Sequence, residues 1–244
     1  MDSYLDTRSY YMRKWVVFLV ISICLAGCSS LRRGVNESDL FNAKRVGVVS
    51  LLGSNFHGTL VSGSTFISDS FVANVNDWTI NRFTSDEAVR LLQGNTQFES
   101  VRVNVKGYTL TQLQASDNQA VFDLASSQGI DTVVLIRPDV SHKFVRFEPG
   151  YGLYEHSVFH MGSRCVYAAY TVNVYAVASR ELIGWQWGGD SDAPCRLDEN
   201  YPVPFKISFS NYSKSERNTL RADLEARIKW SLQQSLAALR LITL

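Results

Sequence analysis

The chain has 244 residues, 24 Lys and Arg against 23 Asp and Glu, and 45% hydrophobic residues. That length and apolar share suffice for one domain with a sizeable core. The balanced charge leaves no electrostatic footprint for nucleic acid, which is excluded as a partner class.

The first segment in chain order is RKWVVFLVISICLAGC, residues 13–28. Arg13 and Lys14 precede an apolar stretch from Trp15 to Ile23, and small residues lead into Cys28, the layout of a secretory signal. A spanning helix is the competing reading, but Trp15 to Gly27 would cover only about 20 Å against roughly 30 Å of hydrocarbon. A conventionally cleaved protein is another, and it would leave a lone cysteine at an exposed terminus in an oxidising compartment. Leu25-Ala26-Gly27-Cys28 resembles the lipobox of bacterial lipoproteins. The resemblance implies cleavage before Cys28, acyl chains on that cysteine and attachment to a membrane without protein insertion. Two acyl chains suffice for a stable anchor, where one binds marginally. Ser29, by resemblance to the sorting rule of enteric lipoproteins, directs the protein to the periplasmic side of the outer membrane. Asp2 and Asp6 sit oddly in a basic leader, whereas Met12 opens the compact MRK, so Met12 is read as the start.

Removal of residues 1–27 leaves 217 residues with 21 charges of each sign. Residues 28–43 read as the lipidated cysteine and a flexible polar tether, and residues 44–244 as one periplasmic α/β domain. Within it, Arg45 to Leu52 is an apolar run suited to a central strand. Residues 59–83 alternate, with Val61, Thr65, Ile67, Phe71, Ala73 and Val75 on odd positions, which argues for strand. Thr84 or Ser85 is expected to cap a short helix that ends at Gly94. Phe98 to Val105 alternates again. Asp117 to Gly129 is a helix, and Ile130 to Ile136 a buried strand stopped by Pro138.

Val166 to Ala178 and Leu182 to Trp187 flank a polar Ser-Arg-Glu turn and read as a hairpin. Cys24 leaves with the signal and Cys28 carries lipid, so Cys165 and Cys195 remain as candidates for a disulfide in an exported protein. A turn near Arg180 pairs residues whose numbers sum to about 360, which sets the two cysteines opposite each other at the open end of the hairpin. Lys214 to Leu241 carries Leu220, Leu224, Ile228, Leu232, Leu236 and Leu239 at helical spacing. The expected fold is α/β: a single three-layer or two-layer domain, with a mixed sheet, a β-hairpin and a C-terminal amphipathic helix packed on it.

This order, with a glycine-terminated helix running into Gly129-Ile130-Asp131-Thr132-Val133-Val134 and a hairpin turning at Ser179-Arg180-Glu181, resembles a group of envelope proteins. The group contains the curli secretion channel lipoprotein and the amino-terminal domain of the Tol translocation protein TolB. The resemblance implies envelope partners or self-association in secretion or envelope assembly. The serine- and asparagine-rich segment 59–83, an aromatic stretch at 142–161 and a long loop from Gly188 to Ser213 depart from that group.

The chain lacks GxSxG, GxxxxGK, CxxC and HExxH, so no catalytic residue and no cofactor are expected. His156 and His160, with His142 and Glu155, are the metal suspects, but four strand steps part the two histidine backbones by roughly 13 Å, too far for one ion, and no metal is assigned. Asp190, Asp192, Asp198 and Glu199 do not follow a calcium loop. Asp131 and Asp139 bracket a strand, where carboxylates commonly cap. Phe144, Phe147, Tyr151, Tyr154 and Phe159 surround Pro149, Gly150 and Gly152. A turn there would put Tyr151 at its tip as a partner-binding surface, whereas the plainer reading sends these rings into the core. The alternatives to a non-catalytic, membrane-anchored lipoprotein are an envelope hydrolase or metal enzyme using the histidine region, and an oligomeric pore in which residues 59–83 and 139–161 form membrane hairpins.

Overall fold

In the computed structural model, described for residues 34–63, 68–95, 97–115, 117–139, 147–158, 161–188 and 194–244, β1 (Arg45–Ser50) is flanked on both sides by parallel strands. Those neighbours are β4 (Glu99–Arg102) and β5 (Thr132–Pro138). Between β1 and β4 run an antiparallel pair, β2 (Asn55–Ser62) and β3 (Ser68–Asn74), and the helix α2 (Ile80–Leu92). Beyond β5 come β6 (Gly150–Val158), the 16-residue β7 (Met161–Ala176) and β8 (Glu181–Trp187). The sheet order is β3-β2-β6-β7-β5-β1-β4, with β8 paired to β7.

The long β7 organises the sheet. Its second half, from Tyr170, pairs with β5, and its first half, up to Ala169, pairs with β6. The parallel pairs β1 with β5 and β2 with β6 repeat this division, so β1, β2, β5 and β6 all run one way and β7 runs back. Val133, Val134, Leu135 and Ile136 are all fully buried, because a central strand covered on both faces has no solvent side to alternate with.

Two core clusters lie on opposite faces. One joins Val46, Val48, Val134, Ile136, Val172 and Val174 to α2 and to α5 (Lys214–Ala238). The other joins Val49, Leu51, Val133 and Leu135 to α4 (Gln119–Ser127) and to Leu113 of the short α3 (Leu110–Leu113). This is the α/β domain that the patterning predicts, in its three-layer form. The stripe of α5 is buried as expected: Leu220, Leu224, Ile228, Leu232 and Leu236 are all inaccessible. Each contributes about 2 kcal/mol of transfer free energy. The helix begins at a reciprocal cap, with Ser213 Oγ accepting from Glu216 N and the Glu216 carboxylate accepting from Ser213 N. α4 ends as its sequence suggests, at Gly129 with φ 66°, and Ile130 N then returns to Ala125 O at 2.9 Å.

Four expectations change. The tether does not extend to residue 43: Val35 is buried in the core and α1 (Glu37–Asn42) follows it. α2 starts at Ile80, so Thr84 and Ser85 are interior residues and not caps. Both are buried, and Ser85 Oγ accepts from Ser50 N while Asn81 Oδ1 accepts from Gly53 N, pinning the helix to the end of β1. The strand expected from Phe98 to Val105 is confined to Glu99–Arg102. The PGYG segment does not set Tyr151 at the tip of a turn: β6 begins at Gly150 and pairs with β7 along its whole length and with β2 from Tyr151 to Ser157. Among the described residues no helix is long and apolar enough to cross a membrane. The signal, Met12 and Cys28 fall outside the described residues.

Candidate functional site

The aromatic residues picked out in the sequence diverge. Tyr151 and Tyr154 are three residues apart in β6, an odd separation, and so face opposite sides of the sheet. Tyr151 is fully buried against Phe56, and its hydroxyl donates to Gly53 O at 3.1 Å. Burial pushes its phenol well above the ordinary range. Tyr154 is buried on the other face beside Cys165, its partner on β7. The Phe147 ring, half-buried, closes over this side at 4.5 Å from Tyr154 and 5.1 Å from Tyr167. Tyr151 and Tyr154 therefore belong to the core, the plainer of the two readings, and not to an exposed partner-binding loop. Phe144 and Phe159 lie outside the described residues.

Cys165 and Cys195 come together with Cα atoms 6.0 Å apart and sulfurs at bonding distance, but by a different route from the expected one. Cys165 sits in the half of β7 that pairs with β6, and β8 ends at Trp187. The β7–β8 register sums to 358 for pairs such as Val172 with Gln186, so the hairpin ladder alone would not bring residue 195 opposite residue 165. Cys195 instead opens a strap that returns across the sheet. Arg164 and Asp198 exchange two backbone hydrogen bonds, at 3.0 and 2.9 Å. Glu155, opposite Arg164 across β6 and β7, pairs with its guanidinium at 3.1 Å and accepts from Phe205 N at 2.8 Å. Tyr201 donates to Asp223 of α5 at 2.6 Å. Val203 is buried, and Phe205 and Phe209 reach Phe71 and Phe56 at 5.7 and 5.6 Å. The long loop after β8 is thus the cover for the part of the sheet that α5 does not reach. No local pattern marks Glu155 or Arg164 as a pair, because only the β6–β7 register brings them together.

His156 lies half-buried in β6, opposite Ser163, while His142 and His160 fall outside the described residues. Among the described residues no group of three or more His, Cys, Asp or Glu side chains is arranged to hold a metal ion. Asp131 accepts from Lys44 N and Arg45 N, both at 3.0 Å, which is a strand-end cap. Asp190 and Asp192 lie outside the described residues, and Asp198 serves the strap. His57, on β2, is held below its ordinary pKa by burial, with Glu148 pulling the other way.

A cleft of about 350 Å³ opens where β1 and β4 end, between Ser50, Asn81, Arg82, Ser85, Arg102 and Val103. Its two guanidiniums are committed to one carboxylate, Arg102 at 2.8 Å and Arg82 at 3.4 Å from Asp86. Ser50 Oγ donates to Asn81 Oδ1 at 3.4 Å, and Asn81 and Ser85 accept from backbone N–H groups as described above. The arrangement therefore couples β4 to α2 and offers no hydroxyl beside a free base.

No protein-family model and no curated protein sequence matches the chain. Solved structures similar to it in overall course include a single-residue variant of the PelC dodecamer from Paraburkholderia phytofirmans, at 8% identity and TM-score 0.35, covering 86% of this chain and 95% of that one. A second PelC dodecamer structure from the same organism is similar at 9% identity and TM-score 0.32, covering 81% and 87%. The C-terminal domain of LpoB from Salmonella enterica is similar at 12% identity and TM-score 0.25, covering 68% and 89%.

Proposed function

We propose that this chain is a lipid-anchored envelope protein, held on the periplasmic side of the outer membrane by acyl chains on Cys28, whose α/β domain works by binding envelope partners or further copies of itself and not by catalysis. The observation that carries the reading is RKWVVFLVISICLAGC, a basic start, an apolar run too short to span, and small residues before a cysteine. The approach of Cys165 and Cys195 supports it, since a bond between them is compatible with export into an oxidising compartment. Secretion or envelope assembly is the process such a protein serves.

Cys28→Ser tests the anchor. The unsubstituted protein is expected to sediment with membranes, to gain the mass of acyl chains and to begin at residue 28. The variant is expected to lose the acyl mass and keep an uncleaved leader. An unsubstituted protein without acyl mass would overturn the reading.

A further inference from the structure

The chain enters the described domain at a locked point. Val35 is fully buried, and its N–H donates to Leu239 O at 3.3 Å just beyond α5. At the same end Asn95 Nδ2 donates to Leu241 O at 3.2 Å, and Glu99 N to Lys44 O at 2.9 Å. Register sets Val46 beside Thr132 and Thr132 beside Ala176. The entry point, the starts of β1, β4 and β5, and the finish of β7 therefore share one end of the sheet. From that end β7 reaches back to Met161 through about 50 Å of strand at ~3.3 Å per residue. Since β2 and β6 run opposite to β7, they close with β3 and β7 at the other end.

Only residues 29–33 separate Cys28 from Gly34 in the sequence. Fully extended, six residue steps reach at most about 20 Å, less than half the length of β7. We infer that in the acylated protein this short tether keeps the Val35 and Leu239 end of the domain at the bilayer surface and turns the end where β2, β3, β6 and β7 close outward into the aqueous space. The inference rests on acylation of Cys28. Arg32 and Arg33 lie in the tether itself, where they add attraction to anionic headgroups.

The test uses the full acylated protein on vesicles of zwitterionic and anionic phospholipid carrying an acceptor-labelled lipid. A donor fluorophore is placed either at Gln93, exposed at the end of α2, or at Ser70, exposed on β3. The expected result is several-fold stronger transfer from position 93 than from position 70. Flotation of the same samples separates the two levels of the reading: protein that fails to float overturns the anchor and the orientation together, while protein that floats with equal or reversed transfer overturns the orientation alone. Inserting about twenty Gly and Ser residues between Ser30 and Leu31 should shrink the contrast, because a flexible chain of that length reaches well beyond 20 Å. A contrast unchanged by the insertion would overturn the tether as its cause.

Discussion

Breaking the Cys165–Cys195 link perturbs the strap without touching the sheet ladder. The two cysteines are 30 residues apart, and a loop of that size costs the unfolded chain about 12 cal/mol/K, or about 3.6 kcal/mol at 25 °C, when closed by a crosslink. Both side chains are buried, so the reduced thiols remain as small apolar groups in the same cluster, and chain entropy dominates the difference. Reduction should lower the urea midpoint by about 1 to 2 M for a domain of this size. The thermal midpoint should fall by roughly 7 to 14 °C. The assay is urea unfolding of the domain from Gly34 onward, oxidised and reduced, beside the double variant Cys165→Ala/Cys195→Ala, which should respond to neither condition. Two free thiols in oxidised protein, or a midpoint unmoved by reductant, would refute the reasoning.

Glu155→Ala removes the carboxylate that both neutralises Arg164 and receives Phe205 N, at a site where the two side chains are only 12% and 19% exposed, and should cost about 3 kcal/mol in denaturant unfolding. Glu155→Gln keeps an acceptor for Phe205 and should lose about half of that, while a double-mutant cycle with Arg164→Met that returns less than about 0.5 kcal/mol of coupling would argue against the pair. Gly152→Ala drives a methyl group into the His57 carbonyl on the neighbouring strand, so soluble yield and cooperative unfolding should both fall; a variant as stable as the parent would show that β2 and β6 can part there. His57 releases its proton more readily in the fold than in the unfolded chain, whose value is near 6.5. Its contribution to stability is thus present above pH 6.5 and is lost as the pH falls from there toward the folded value, and urea midpoints at pH 7.5 and 5.5 should differ less in His57→Gln than in the parent.

Much of the fold was legible because it depends on short-range periodicity. The α5 stripe, the Gly129 stop, the run Ile130 to Ile136 and the odd-numbered inward residues of β3 each state a local face, and local faces survive whatever the rest of the chain does. The same local reasoning failed at Ser85, which has the chemistry of a cap but is spent on β1, and it left Tyr151, in its glycine-rich surroundings, between a turn and the core. Gly152 is there because His57 O crowds its position, a contact made by residues 95 apart in sequence.

The sequence by itself determined the α/β class, singled out Cys165 and Cys195 as partners, and holds the RKWVVFLVISICLAGC pattern on which the proposed anchor rests, since each follows from residue types within short segments. Tertiary structure alone decided that β7 joins two half-ladders, that Glu155 and Arg164 pin the strap, that Tyr151 and Tyr154 are core, and that Val35 is bound at the end of the sheet opposite the β2–β3 and β6–β7 closures. All of these depend on strand register and on crossovers between distant segments. Register is set by the sum of many weak contacts across the sheet, and no single stretch of the chain encodes it.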